Sequence, residues 1–335
     1  MCIHSHHCGA WISLESIGIS AQGCLRTPEW LQQISLPIYQ SIVNPSIYID
    51  LPQHTLTCTK NASHGSFGFI DVAIFKTAEG SKDVYVKRPI MIGKSLLQEA
   101  CLQSLVHKRL SEIGFPMGAP KVTHIFRLRD RSICFAMEPV DGAITLDRYL
   151  DATPSSLFST VIVDCLLQLS AMIWHLDHIG INHRDVKPSN FLIVEHDVPI
   201  RKILTVENEI IEISSKYSLT LIDFGFSCIG STKTQISNLA LSTVYPPSDP
   251  CPKEGRDLYL FLGLLYADYH TKMPAPLKQL FESWIDEPGS KLCAFMRKDK
   301  EYSKKWLYFM AGNDQIKRFQ SNPTRIVADL QALHL

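Results

Sequence analysis

Two stretches decide how this chain reads. The first is His183-Arg184-Asp185-Val186-Lys187-Pro188-Ser189-Asn190, and the second is Leu221-Ile222-Asp223-Phe224-Gly225. The first directly follows a segment in which Phe158, Val161, Ile162, Cys165, Leu166, Leu169, Met172, Ile173 and Leu176 recur at helical spacing. It is followed by a strand-like run over 191–194, and the second stretch closes another β-type run. Together they place two isolated carboxylates, an amide and a lysine on short loops beside strands. A polar constellation on a loop held by regular elements points to chemistry rather than to packing.

Phosphoryl transfer from a nucleotide needs a carboxylate to orient the attacking hydroxyl and oxygen ligands for Mg²⁺. Asp185 meets the first need, and Asn190 and Asp223 meet the second. Lys187 can neutralise charge on the moving phosphoryl group. The two stretches resemble the catalytic loop and the metal-binding D-F-G of the protein kinase family. Two separate motifs in the family's order make the resemblance specific. Lysine two residues after the catalytic aspartate is the serine/threonine pattern, so the resemblance implies an ATP-dependent serine/threonine protein kinase, a divergent member.

The resemblance extends upstream. Ser63-His64-Gly65-Ser66-Phe67-Gly68-Phe69-Ile70 is similar to the glycine-rich loop over the ATP phosphates, with Ser63 standing where the family has its first glycine. It implies nucleotide contacts from Ser63, Gly65, Ser66, Phe67, Gly68 and Ile70. Taken alone, the segment would read as a plain hairpin. Val84-Tyr85-Val86-Lys87 resembles the strand whose lysine grips the α- and β-phosphates, and Glu99 on the following helical segment is the acid able to pair with Lys87. Without the other motifs both would read as ordinary surface charges. Met137-Glu138-Pro139-Val140 resembles the hinge, which implies Met137 at the back of the adenine pocket and the Val140 backbone at the adenine edge. Asp141 and Thr145 are both candidates for the ribose.

Downstream, Gly255-Arg256-Asp257-Leu258-Tyr259 resembles the start of the family's buried central helix, whose aspartate ties down the catalytic loop. Asn322-Pro323-Thr324-Arg325 resembles its last arginine segment. Several positions depart from the pattern. Tyr245-Pro246-Pro247-Ser248-Asp249 replaces A-P-E, which leaves Asp249 as the substitute partner for Arg325. Gln103 stands where an apolar side chain is usual. Tyr85 replaces the small residue that roofs adenine. Residues 195–217 lengthen the link to Asp223, and the β-branched alternation over 203–213 predicts a hairpin there. Arg184 can bind a phosphate on Ser231, Thr232 or Thr234 and so order the loop after Asp223; the alternative is a loop ordered without phosphate. No departure deletes Lys87, Glu99, Asp185, Asn190 or Asp223, although Tyr85, Ser63 and Gln103 also suit a pseudokinase acting as a binding scaffold.

Bulk properties are those of an ordinary globular protein. The chain has 335 residues, 45% of them hydrophobic, and its 33 basic and 33 acidic side chains cancel. A neutral chain gives no electrostatic reason to expect nucleic acid or an anionic membrane as partner. The partners expected are protein substrates bearing serine or threonine. The apolar run at 161–176 is interrupted by Asp164, Gln168 and His175, and no signal-peptide pattern opens the chain, so an intracellular protein, cytoplasmic or nuclear, is expected. Ten scattered cysteines without a C-x-x-C are expected as reduced thiols, and the Cys2, His4, His6, His7, Cys8 cluster is too tightly spaced for paired zinc-ligand loops.

Short β-type runs at 67–75, 83–87, 122–128 and 132–138 surround a helical segment at 95–110, and helical patterns dominate past Gly142. The expected architecture is α+β: a bilobal protein-kinase-like fold with a small β-rich N-lobe and a larger, mostly helical C-lobe. The boundaries read as an extension over 1–50, with a short helix near 28–34, an N-lobe over 51–139 and a C-lobe over 140–335. ATP and Mg²⁺ are the expected cofactors.

Overall fold

The computed structural model describes residues 38–41, 48–51, 54–64, 68–77, 80–127, 132–207, 209–231, 236–242, 244–286 and 291–333. The helix expected near 28–34, the His/Cys cluster and Gly65, Ser66 and Phe67 lie outside them. Two compact units divide the described chain: residues up to Lys108 with Ala119–Asp141, and Arg109–Gly118 with Gly142 onward.

The first unit is built on a seven-stranded sheet, β1 (Ile38–Ser41), β2 (Tyr48–Leu51), β3 (His54–His64), β4 (Gly68–Thr77), β5 (Gly80–Pro89), β6 (Val122–Arg127) and β7 (Ile133–Met137), in the order β1-β2-β3-β4-β5-β7-β6. β1 and β2 fall in the stretch read from sequence as an extension. Runs of four residues are too short for alternation to reveal them, and their place comes from pairing with β3. In β5 the pleat separates two faces: Val84 and Val86 are buried in the core, and Tyr85 and Lys87 point the other way. Helix α1 (Leu97–Glu112) follows, with Leu97, Cys101 and Leu105 beside Leu102, Val106 and Leu110 as its buried rows.

The second unit is mostly helical. It contains α2 (Leu146–Ala152), α3 (Ser155–His178), α4 (Arg256–Tyr269), α5 (Ala275–Ile285), α6 (Leu292–Met296), α7 (Lys300–Ala311) and α8 (Pro323–Ala332). Helix α3 is long and apolar enough to cross a bilayer by composition alone, yet its apolar rows form the packed core of this unit. Helix α4 is buried on nearly every side, as expected for a helix with no polar face. The hairpin anticipated between the two motifs is present as β10 (Phe191–Val206) and β11 (Glu209–Leu221), joined on the β10 side by β8 (Ile144–Thr145). Lys202 anchors it to α3 by donating to the Gln168 side-chain oxygen at 2.6 Å. A second small sheet joins β9 (Ile181–Asn182), β12 (Cys228–Ser231) and β13 (Ile236–Ala240).

The cysteine expectation is corrected at one place. Cys228 in β12 and Cys251 before α4 form a disulfide, with Cα atoms 6.3 Å apart. No local spacing announces this pair, because the fold and not the sequence interval brings them together. Cys101, Cys134, Cys165 and Cys293 are buried and reduced, as expected.

Candidate active site

The loop that bears Asp185 is tied to the start of α4. One Asp257 oxygen accepts the His183 N–H at 2.7 Å and the other accepts the Arg184 N–H at 2.8 Å. Gly255 precedes them at φ +76°, where a Cβ would lie 3.0 Å from the carbonyl oxygens of Phe319 and Ser321, so only glycine fits without strain. Arg184 itself is held at φ 70°, a conformation that costs a non-glycine residue about 1 kcal/mol or more. Asp257 offsets that cost by satisfying both backbone donors.

A second set of bonds ties this loop to Asp223. The His183 Nε2–H donates to the Ile222 carbonyl at 3.0 Å, and the ring meets the buried Phe224 edge to face at 5.0 Å. Burial lowers the His183 pKa, so the neutral ring is favoured. The Ile222 N–H donates to the Asn190 carbonyl at 2.9 Å. Asp223 takes a left-handed conformation, φ 66° and ψ 72°, which turns the chain out of β11 into the Phe224–Phe226 turn.

Asp185 is 3% exposed and its carboxylate is fully engaged within this unit. Oδ2 accepts from Lys187 Nζ at 2.8 Å and from Asn190 Nδ2 at 2.9 Å. Asn190 Nδ2 also reaches the Asp185 carbonyl at 2.8 Å. The amide nitrogen of Asn190 is thus committed to Asp185, and what it can offer a hard cation is its Oδ1. Oδ1 of Asp185 accepts from the Tyr308 hydroxyl, on α7, at 2.6 Å. Sequence reasoning missed Tyr308 altogether, since a lone tyrosine in an amphipathic helix so far along the chain belongs to no motif.

In the first unit, Lys87 and Glu99 form a buried ion pair, with residues 5% and 4% exposed. Burial this deep removes the reading of either as a surface charge. Ser63 lies opposite Ile70 across the β3–β4 pair, and Gly68 lies opposite Pro89 across β4–β5. A Cβ on Gly68 would come within 2.5 Å of the Arg88 carbonyl oxygen, so the backbone there approaches its neighbour more closely than any other residue allows. Met137 pairs with Tyr85 across the β5–β7 register, and Val140 follows β7 in irregular backbone. Gln103 is buried without an orphaned amide: its Nε2 donates to the Pro120 carbonyl at 2.9 Å.

One expectation about partners is corrected, and one alternative gains support. Asp249 does not serve Arg325, whose carboxylate neighbour is Asp329 at 3.6 Å. Asp249 instead meets Arg256 at 2.7 Å, Lys253 at 2.8 Å and Arg184 at 3.6 Å. Arg184, a candidate phosphate ligand, is 2% exposed, and its guanidinium stacks over the Tyr245 ring at 4.3 Å, which favours the loop ordered without phosphate. Burial and the nearby Arg256 cation push its pKa down to about 10. The sequence could not show this, because it gives no sign that Asp249, in the stretch that replaces A-P-E, turns to Arg184 rather than to Arg325. Thr232 and Thr234 lie outside the described residues, as does the side chain of Ser231.

Comparison with known proteins defines the fold. No protein-family profile matches the sequence, and no curated protein matches it. Among solved structures, the chain is similar to the one titled crystal structure of BubR1 kinase domain, at 16% identity and a TM-score of 0.51, over 96% of this chain and 98% of that one. The protein therefore has a kinase-like α+β fold, with a β-rich unit and a mostly helical unit.

Proposed function

We propose that this chain is a protein kinase that transfers the γ-phosphate of ATP to serine or threonine hydroxyls of protein substrates. The observation that carries the reading is the Asp185 carboxylate, fixed by Lys187 and Asn190 on a loop that Asp257 holds by two backbone donors. A carboxylate so placed can receive an acceptor hydroxyl, orient its lone pair and take its proton. Lys187 lies beside it to meet charge on the transferred group. In the other unit, the buried Lys87, braced by Glu99, would bind the nucleotide phosphates, and Gly68 allows backbone to come close to them. Asn190 and Asp223 are the oxygen donors suited to Mg²⁺, a cation that takes one or two protein ligands and completes its shell with phosphate and water. When bound, the metal would neutralise phosphate charge. The preference for serine and threonine rests on Lys187.

The test is nucleotide binding with and without Mg²⁺. Asp223→Ala should weaken only the Mg²⁺-dependent part of ATP affinity, and Lys87→Met should lower phosphotransfer through lost positioning of the phosphates. ATP affinity that is indifferent to Mg²⁺ in the wild type would contradict the metal assignment. A second reading, a nucleotide-binding scaffold without transfer, is favoured by Tyr85 on the Lys87 face of β5. Mg²⁺-dependent ATP binding without transfer to any protein would select it.

A further inference from the structure

Both oxygens of Asp185 are taken, and they are taken by different kinds of group. Lys187 and Asn190 hold Oδ2 from within the loop itself. Oδ1 is held by a hydroxyl, that of Tyr308, from a helix more than a hundred residues further along, at 2.6 Å. A hydroxyl donating to the catalytic carboxylate is the contact an acceptor makes before transfer. Burial and the Asp185 charge both raise the Tyr308 pKa, so the phenol keeps the proton it donates.

The helix bearing Tyr308 is firmly seated. Leu307 packs on Gly263 of α4, where a Cβ would meet the Leu307 side chain at 2.5 Å. Gly312, just past α7, lets the Tyr245 ring approach, and a Cβ there would lie 2.3 Å from that ring. Lys304, one turn before Tyr308, is paired with Asp268 of α4 at 2.9 Å. The hydroxyl is therefore held against Asp185 by a packed helix and can leave only by turning its side chain. Space for that exists. A pocket of about 300 Å³ adjoins the ring, bounded by Lys187, Pro188, Ser189, Leu264 and Lys304 among others.

We propose that Tyr308 is a gate on the acceptor side of Asp185: its hydroxyl occupies the acceptor's place, and a substrate serine or threonine must displace it. This rests on the kinase reading of the site. With the gate closed, Asp185 also cannot activate water, so ATP is protected from futile hydrolysis. An acceptor then competes with an internal hydrogen bond to a charged group, a contact whose loss changes affinity by roughly tenfold or more.

The experiment compares the full-length wild type with Tyr308→Phe, which keeps the ring and removes only the hydroxyl, and with Tyr308→Ala. The measurements are acceptor KM and kcat with a mixed serine/threonine peptide pool, ADP release without peptide, and ATP·Mg²⁺ binding. Tyr308→Phe should lower acceptor KM about tenfold and raise peptide-independent ADP release, with ATP affinity unchanged. Tyr308→Ala should show the same direction if it remains folded. A fall in kcat with KM unchanged would overturn the gate and make Tyr308 a residue that orients Asp185. If wild type and Tyr308→Phe both bind ATP·Mg²⁺ but neither transfers phosphate, removing the hydroxyl has released nothing and the gate is refuted. Failure of both to bind ATP·Mg²⁺ would instead refute the kinase reading, and the gate with it.

Discussion

The Asp257 carboxylate bridges the backbone N–H groups of His183 and Arg184, one oxygen to each, at 2.7 and 2.8 Å. The loop that positions Asp185 is thereby fixed to the most buried helix of its unit. An asparagine at 257 would keep one acceptor and point its NH₂ group at the second backbone donor. Hydrogen bonds to charged groups contribute about 1.5–3 kcal/mol each, so Asp257→Asn should destabilise the fold by about 3 kcal/mol. Urea unfolding of wild type and variant measures it, and a change under about 0.5 kcal/mol, the usual range for surface substitutions, would contradict the role.

Asp249 serves three buried cations, Arg184, Lys253 and Arg256. Arg184 thus has a carboxylate in the place a phosphate would take. The transfer activity of the protein should be unchanged by prior phosphatase treatment. Asp249→Ala should cost about 3–5 kcal/mol, because it strands buried charge. Assays before and after phosphatase decide the first point; a large loss of activity on dephosphorylation would contradict it.

Tyr85 shares its strand face with Lys87 and pairs with Met137 and Val72 in the sheet. If adenine is roofed by this face, the phenol takes volume that the resemblance assigns to a methyl group. Overpacking of that kind costs about 1–3 kcal/mol, and about 1.4 kcal/mol is tenfold in affinity. Tyr85→Ala should bind ATP roughly tenfold more tightly. Titration with a fluorescent ATP analogue tests this; weaker binding by the variant would mean that the ring stacks on adenine.

His183 gives the site a pH signature. Its pKa is lowered from 6.5, chiefly by burial, so below that value the unfolded chain takes up a proton that the folded protein resists. Its contribution is flat above pH 6.5 and turns destabilising as pH falls from 6.5 toward the lowered folded value, by at most about 1.4 kcal/mol per pH unit. Asp257 carries the opposite sign, because burial raises its pKa. The His183 part is isolated by comparing unfolding free energies of wild type and His183→Gln from pH 7.5 to about 5.5. The wild type should lose more stability on acidification, and parallel curves would remove His183 as the cause.

Much of the fold was legible because its signals are local. The helical spacing from Phe158 to Leu176 foretold α3, the resemblance of Gly255 to Tyr259 to a buried central helix foretold α4, and the alternation before Ile213 foretold the β10–β11 hairpin. Asp185, Lys187 and Asn190 were legible for the same reason, since the chemistry joining them fits in one short loop. What sequence could not show were contacts made by distant chain. Tyr308 on Asp185, Asp249 under Arg184 and the Cys228–Cys251 bridge each pair residues whose meeting is decided by helix and loop packing. Strands β1 and β2 escaped because their order comes from a partner strand rather than from their own pattern.

The central claim is that Asp185 works on an acceptor hydroxyl. Its most direct measurement is transfer of label from γ-labelled ATP to generic basic proteins, followed by phosphoamino-acid analysis, for wild type, Tyr308→Phe and Asp185→Asn. The predicted result is label on serine and threonine with the first two proteins and a loss of at least about 100-fold with Asp185→Asn, at equal ATP affinity. Equal labelling by Asp185→Asn, or no labelling by wild type and Tyr308→Phe while both bind ATP, would contradict it.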